Sequence, residues 1–109
     1  MRIPRVVLDH CVPRTLLRHV TVPGATTIGA YGWAGRDDGP LLDLLPAVCD
    51  VFVTTDQNLP FQQRLDTRSF ATTVLVAPSN RLADLLPLIS GLQAAIDEAR
   101  PGAVVRVAR

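Results

Sequence analysis

Two aspartates follow short apolar runs in the same way, and their carboxylates are the groups in this chain best suited to chemistry. Asp9 comes directly after Val6–Leu8, and Asp56 comes shortly after Val51–Thr54. If both runs are parallel strands of one sheet, the two acids lie at one edge and share a site. Clustered carboxylates repel one another unless a cation lies between them. The competing interpretation is that each aspartate caps the turn or helix that follows it.

Alternating apolar runs and helical patterns must position these acids. Pro13 and Pro40 each suit the first turn of a helix. Apolar residues at helical spacing follow Ser79 and Asn80, and either of these can cap that last helix. Pro87 lies inside the last helix and should kink or split it. The predicted strands are Val6–Leu8, Ala25–Ile28, Val51–Thr54, Thr72–Val76 and Val104–Val107.

These patterns predict a single α/β domain that spans residues 1–109. Near-continuous apolar strands separated by helical segments are typical of a parallel sheet covered on both faces. We therefore predict a three-layer sandwich with a mostly parallel sheet of four to five strands. In such a sheet, residues just past the strand ends gather at one edge, where ligands usually bind. This position favours a shared site for the two acids over two independent caps.

Composition and charge limit the classes of function. The chain has 48% hydrophobic and 19% charged residues. It is too apolar for disorder, and its apolar runs are too short to span a bilayer. Residues Met1–Arg5 lack the apolar core of a secretory signal, so we expect a cytoplasmic protein with no membrane partner. The net charge is +1 and all eleven positive residues are arginine, so any nucleic acid must be bound by a local patch.

The two cysteines are predicted to be free thiols. Cys11 follows the first strand and Cys49 precedes the third, so parallel strands place them at opposite ends of the sheet. About four strand residues at ~3.3 Å each then separate them. This distance exceeds the ~7 Å between Cα atoms that a disulfide tolerates, and free thiols agree with a reducing cytosol.

A response-regulator receiver is one α/β fold that also places acids after its first and third strands. It carries an acidic pair after the first strand and a lysine near the end of the last. This chain has the single acid Asp9 at the first position and no lysine at all. The receiver fold is therefore not favoured.

Four blocks of the sequence resemble, in order and spacing, the small PIN-like family of prokaryotic proteins. The resemblance covers nearly the whole chain. A Gly-Trp-Ala-Gly loop and a Thr-Thr-Asp turn are its most distinctive parts. The blocks are VVLDHCVPRTLLRHV, GWAGRDDGPLLDLL, DVFVTTDQNLPFQQRL and VAPSNRLADLLPLI.

The resemblance implies a PIN-like fold and a metal-dependent ribonuclease, an activity that many relatives use as the toxin of a toxin-antitoxin pair. It implies that Asp9 and Asp56 are the catalytic acids and bind Mg²⁺ or Mn²⁺, hard cations that prefer oxygen ligands and promote phosphodiester hydrolysis. Asn58 and Asp43 would complete the metal shell, and Thr55 would bind a coordinated water. RNA is then the substrate and an antitoxin encoded nearby is the protein partner. A homodimer is compatible with this assignment.

The sequence departs from the family at the expected metal shell. Pro40 stands where relatives often carry Glu, and Asn58 stands where some carry an acid. Asp43 lies about one helical turn beyond Pro40 on a similar face and is the candidate substitute. Asp37 and Asp38 are better explained as loop and cap residues. The alternative function is therefore a catalytically eroded RNA- or protein-binding module.

Two arginines are the candidate RNA-binding residues, although a salt bridge to a site acid competes with that role. Arg14 and Arg81 each lie in the first turn of a predicted helix. Neighbours along a strand point to opposite faces, so if the first strand continues past Asp9, His10 is predicted to point away from Asp9 and to be structural. Trp33 is expected either to anchor the core or to stack on a base.

Overall fold

The computed structural model describes residues 3–109 and contains one five-stranded sheet. Its strands are β1 (Val6–Leu8), β2 (Thr26–Thr27), β3 (Val51–Thr54), β4 (Ala71–Val76) and β5 (Val104–Ala108). The strand order is β2-β1-β3-β4-β5, and every neighbouring pair is parallel. Parallel neighbours need long crossover connections, and helical segments provide them. The predicted parallel sheet is therefore confirmed, with five strands.

The helical segments between the strands are short. The α-helices are α1 (Asp38–Leu44), α2 (Leu59–Gln62), α3 (Leu82–Leu85) and α4 (Ile89–Asp97). The 3-10 helices are Arg14–His19, Ile28–Tyr31, Leu45–Ala47 and Leu86–Leu88. Within residues 3–109, none of these helices combines the length and the apolar character that crossing a membrane requires.

The sheet separates two apolar cores, because successive side chains of a strand point to opposite faces. Val6 and Leu8 pack into the first core and Val7 packs into the second. Helical residues of the first core come from Arg14–His19, α3, Leu86–Leu88 and α4, namely Leu16, Leu85, Leu88, Leu92, Ala95 and Ile96. The residues that cover the second core come from α1, α2 and the segments near them, namely Ile28, Leu41, Leu42, Leu45, Leu59, Leu65 and Phe70. Both faces are covered, so the three-layer α/β prediction is confirmed.

Pro87 divides the last helical region, as predicted. α3 ends at Leu85, Pro87 lies within the 3-10 segment Leu86–Leu88, and α4 begins directly afterwards. Proline has no amide hydrogen to donate to the preceding turn, which interrupts the α-helical pattern. At the start of α3, Ser79 Oγ accepts a hydrogen bond from Arg81 N at 3.1 Å. The N-cap position itself is occupied by Arg81.

Two predicted elements differ from those in the structure. The helix predicted after Pro13 is a 3-10 helix over Arg14–His19. The second strand covers only Thr26–Thr27 and not the longer predicted run. There, Thr27 Oγ1 accepts a hydrogen bond from Ala30 N at 3.2 Å and caps a 3-10 helix. This local cap ends the strand early, because it supplies the backbone with an alternative hydrogen-bond partner.

Both cysteines are free thiols in different surroundings, which confirms the prediction that they are not bridged. Cys49 is buried in the second core, whereas Cys11 is partly exposed and packs against the first. Burial, with a smaller contribution from Asp50, raises the pKa of the Cys49 thiol to about 12. The cause is that removing a thiolate from water disfavours the charged form.

We expect the native protein to react rapidly with an aromatic disulfide reagent at one thiol only, because the thiolate is the reacting species and only Cys11 is accessible. The second thiol should react after denaturation. Absorbance of the released thiol measures both phases, and Cys11→Ser should abolish the rapid one. Two rapid thiols in the native protein, or a mass that shows a Cys11–Cys49 link, would contradict this expectation.

Candidate functional site

The carboxyl ends of β1 and β3 bring Asp9 and the Asp56 turn to the same edge of the sheet. Leu8 pairs with Val53 in the parallel register, and Asp9 N donates a hydrogen bond to Val53 O at 2.8 Å. Asp9 therefore lies beside Thr54, the last residue of β3. Asp56 follows Thr54 by two positions, so strand direction and register together place both acids at this edge.

The Asp9 carboxylate is buried and held by several donors. Among residues 3–109, Asp9 is the only charged residue that is buried, with 5% of its surface exposed. Its Oδ1 accepts a hydrogen bond from His10 N at 2.8 Å and lies 3.0 Å from His10 Nδ1. Its Oδ2 accepts from Thr54 Oγ1 at 2.7 Å and from Cys11 Sγ at 3.6 Å. These contacts offset the cost of burying a carboxylate and fix its orientation.

Thr54 joins Asp9 to the Asp56 segment through one buried hydroxyl. Its Oγ1 donates to Asp9 Oδ2 and accepts a hydrogen bond from Asp56 N at 3.0 Å. A hydroxyl can donate once and still accept, so a single side chain satisfies both partners. Thr55, the predicted supporting residue, is only partly buried. Thr54 was not predicted as a site residue, although a polar residue that ends an apolar strand beside Asp9 is a signal for it.

The Asp56 side chain also organises its own turn. Its Oδ1 accepts a hydrogen bond from Asn58 N at 2.9 Å, and its carbonyl oxygen accepts from Leu59 N at 3.2 Å. This is the local turn that aspartate commonly forms, and it leads directly into α2. Asn58 contributes its main-chain N–H to this turn, and Asn58 is exposed. The capping interpretation of Asp56 is therefore correct locally, and the bond to Thr54 adds the connection to Asp9.

Asp38 lies in the electrostatic field of the other two acids. Burial raises the pKa of the Asp38 carboxyl above its ordinary value, and the negative charges of Asp56 and Asp9 raise it further. Asp38 is the first residue of α1, and Asp37 holds the N-cap position without a side-chain capping bond. Asp38 therefore starts a helix and also lies within electrostatic range of Asp9 and Asp56. Its place after the Gly-rich loop and at a helix start was the available sequence signal.

Asp38→Asn should stabilise the fold at neutral pH. The pKa of Asp38 is higher in the folded state than in the unfolded state. The ionised carboxylate therefore destabilises the fold at pH values above the folded-state pKa. Below the unfolded-state pKa there is no effect, because Asp38 is protonated in both states. Thermal melts of wild type and variant should coincide at acid pH, and the variant should melt higher as the pH approaches neutrality. Asp66→Asn is the control, because Asp66 forms an exposed ion pair with Arg64 and such pairs contribute little. A variant less stable than wild type at neutral pH would contradict the repulsion among the acids.

Asp43 lies apart from these acids. Its carboxylate contacts Arg68 Nη1 at 2.6 Å on the protein surface. Arg68 precedes β4 and is therefore on the amino-terminal side of the sheet. Asp43 was expected to replace a ligand missing at Pro40. The structure engages it in a surface ion pair and brings Asp38 toward Asp9 and Asp56.

The His10 ring points toward Asp9, whereas the sequence pattern predicted that it would point away. The His10 ring contacts the Asp9 carboxylate through Nδ1 and is 58% exposed. The reason is that β1 ends at Leu8 and the chain turns there, with Val12 N donating to Asp9 O at 3.0 Å. The alternation of a strand no longer applies after this point, so the imidazole becomes part of the acidic site.

A shallow cleft of about 310 Å³ adjoins Asp9 and His10, and Arg14 and Thr27 help to line it. The predicted RNA-binding residue Arg14 therefore shares a cleft with the buried acid. Arg81 lies at the start of α3 with an exposed side chain and does not line this cleft. The structure brings only one of the two predicted arginines to Asp9.

A larger cavity of about 360 Å³ lies at the amino-terminal edge of the sheet. Its lining includes Pro4, Asp50, Ser69 and Arg100, which precede strands or follow α4. None of the acids at the strand ends lines it. The candidate site is therefore the strand-end edge around the buried Asp9 carboxylate, where Asp9 lines the smaller cleft and neither Asp38 nor Asp56 does.

No family model, curated protein or solved structure matches this chain. The chemistry of the site must therefore be inferred from the ligand atoms that its own residues provide. Asp9, Asp38 and Asp56 offer carboxylate oxygens, the ligands that Mg²⁺ and Mn²⁺ prefer. Within residues 3–109, no three His, Cys, Asp or Glu side chains form a group that could hold a metal ion. Mg²⁺ commonly takes one or two carboxylates and completes its shell with water and substrate phosphate, so Asp9 and Asp56 without a third protein ligand fit such a cation.

Proposed function

We propose that this chain is a divalent-cation-dependent ribonuclease of the PIN-like kind, with an acidic site formed by Asp9, Asp38 and Asp56. The observation that carries the proposal is the buried Asp9 carboxylate at the carboxyl edge of a parallel sheet. Burying a charge is costly and is seldom retained without a role. Burial and the negative charges of Asp9 and Asp56 raise the pKa of the Asp38 carboxyl, so a cation bound at this edge would relieve part of the repulsion.

Asp9 and Asp56 are the residues that would hold Mg²⁺ or Mn²⁺, and water and substrate phosphate would complete the shell. When bound, such a cation neutralises charge on a phosphodiester and promotes attack by water. The remaining residues of the site have roles that follow from their contacts. Thr54 fixes the Asp9 carboxylate in one orientation. Arg14 lines the same cleft as Asp9, and its guanidinium suits a substrate phosphate.

The resemblance to PIN-like proteins further supports a role as the toxin of a toxin-antitoxin pair. The protein partner would then be a small antitoxin that covers the acidic edge. Controlled expression should arrest growth of a bacterial host, and Asp56→Asn should relieve the arrest. Normal growth during expression of soluble wild-type chain would contradict the toxin role and would leave the ribonuclease activity to be measured in vitro.

A binding module without catalysis is the second candidate, and the contacts of the Asp9 carboxylate favour it. Its two oxygens accept hydrogen bonds from His10 N, Thr54 Oγ1 and Cys11 Sγ, which is compatible with a site that holds no cation. Such a chain would bind RNA or protein through the same edge. Cleavage that depends on a divalent cation separates the two candidates.

The decisive experiment is an RNA cleavage assay with purified chain. Single-stranded RNA is incubated with Mn²⁺, with Mg²⁺ or with EDTA, and the products are resolved on a denaturing gel. We expect fragments with either cation and none with EDTA. Intact RNA in all three conditions would overturn the ribonuclease and leave the binding module.

A further inference from the structure

A solvent-exposed aromatic ring lies close to the acidic edge in α2. Phe61 is 81% exposed and is the most exposed large hydrophobic residue among residues 3–109. α2 begins in the turn formed by Asp56, where Leu59 N bonds to Asp56 O and Phe61 N bonds to Asn58 O at 3.0 Å. The short backbone segment that positions Asp56 therefore also positions the Phe61 ring. Packing in the core cannot explain the presence of Phe61, because its side chain is so exposed.

Arg106 connects the edge strand β5 to this same turn. Arg106 pairs in register with Val74, which pairs with Thr54, so it lies level with the strand end at the acidic site. Its Nη2 donates to Gln57 O at 3.3 Å, and its Cζ lies 5.6 Å from the centroid of the Phe61 ring. The aromatic ring and the cation therefore form one surface directly beside Asp56.

This pair has the chemistry of a contact to an unpaired nucleotide. Aromatic side chains stack on bases that are not held in a duplex. An arginine has five N–H donors in a planar fork that matches a phosphate, and the bond to Gln57 O uses only part of that capacity. A ring and a cation on one exposed surface thus provide for both the base and the backbone of a single strand.

The stacked rings of Tyr31 and Trp33 are less suited to this role. Their centroids are 4.7 Å apart, so each covers a face of the other, and Tyr31 is only 40% exposed. Trp33 also packs against the second core, in line with the expectation that it anchors the core. Arg106 lies over one face of Phe61, but Phe61 is 81% exposed and therefore presents more of its ring to a base.

We propose that Phe61 and Arg106 form a subsite for single-stranded RNA beside the acidic site, with Phe61 stacked on an unpaired base and Arg106 bound to a backbone phosphate. The inference rests on the proposed ribonuclease function and adds the two residues that would hold the strand beside Asp56. Val104 and Val105 of β5 are also exposed, which would suit a second copy of the chain. The positive charge of Arg106 and the position of this surface beside Asp56 favour RNA as the ligand. An interface between two copies of the chain is an alternative that the test below distinguishes.

The test is binding of a short fluorescein-labelled single-stranded oligoribonucleotide, followed by fluorescence anisotropy in EDTA and again with Ca²⁺. Phe61→Leu keeps an apolar side chain without a stacking face and should weaken binding about tenfold. Phe61→Trp should retain the wild-type affinity. Arg106→Gln should weaken binding and reduce its dependence on salt, because one phosphate contact is lost. A duplex of the same sequence should bind more weakly and should not respond to Phe61→Leu.

Two control variants lie on the amino-terminal side of the sheet. Ile3→Ala removes another exposed hydrophobic residue, and Arg100→Gln removes another arginine. Both should bind RNA as the wild type does. Phe61 is exposed, so its variants should melt at the wild-type temperature.

The outcomes separate this subsite from the proposed function. RNA cleavage by wild type together with unchanged binding in Phe61→Leu would overturn the subsite alone. Phe61-dependent binding without cleavage by wild type would overturn the ribonuclease and keep the subsite. The subsite would also be overturned if the wild type did not detectably bind the oligoribonucleotide. A change of oligomeric mass in Phe61→Leu with unchanged RNA affinity would likewise overturn it, and would assign the surface to contact between copies of the chain.

Discussion

Replacing Asp56 by asparagine should reduce Mn²⁺-dependent RNA cleavage by more than about a hundredfold, because even residues behind the metal ligands cost about tenfold to a hundredfold. The side chain of Asn has nearly the same shape and keeps an oxygen that can accept the bond from Asn58 N. The fold should therefore persist while one negative charge at the site is lost. Initial cleavage rates and thermal melts of the same preparation measure the two effects separately.

Asp9→Asn should lose cleavage to a similar extent and should also destabilise the chain. The asparagine side chain has only one acceptor oxygen, whereas the Asp9 carboxylate accepts bonds at both oxygens from His10, Thr54 and Cys11. An amide that cannot satisfy these donors costs about 1–3 kcal/mol. Urea unfolding measures this loss.

Two surface variants complete the comparison. Asp66→Asn alters an exposed ion pair with Arg64 and should cleave RNA at the wild-type rate. Asp43→Asn tests the residue that the sequence suggested as a substitute ligand, since its carboxylate is paired with Arg68. Wild-type cleavage by Asp56→Asn would refute the acidic site, and loss of cleavage in Asp43→Asn alone would move the site to the Asp43–Arg68 ion pair.

The same substitution at two threonines of the sheet should change stability in opposite directions. Thr54→Val removes the hydroxyl that donates to Asp9 Oδ2 and accepts from Asp56 N. Two buried polar groups then lose a partner, which should lower the free energy of unfolding by about 1–3 kcal/mol. The Asp9 carboxylate also loses the contact that orients it, so cleavage should fall about tenfold or more.

Thr72→Val is the matched control, because Thr72 Oγ1 is buried without a hydrogen-bond partner among residues 3–109. Exchanging an unsatisfied hydroxyl for a methyl group of similar volume should raise the free energy of unfolding by up to about 1 kcal/mol. Cleavage should not change. Urea titrations of both variants measure the difference, and a change of the same sign in both would refute the bridging role of the Thr54 hydroxyl.

Several elements were predictable because their signals are local. The runs Val6–Leu8 and Val51–Thr54 are apolar almost throughout, which is typical of strands buried on both faces, and the structure has strands with these bounds. Pro87 interrupts a helix through its own missing amide hydrogen. α2 was missed, since Leu59–Gln62 is a single turn and contains Pro60. A segment of this length shows no helical periodicity.

The fold class and the edge at which Asp9 and Asp56 lie could be predicted from the sequence alone, because the carboxyl ends of all strands in a parallel sheet point to one edge. The other groups near these acids depend on tertiary packing. The charges of Asp9 and Asp56 act on the Asp38 carboxyl, whereas Asp43 is paired with Arg68. The loop path and helix rotation behind this difference depend on packing between segments distant in the chain, and such contacts leave no periodic signal in the sequence.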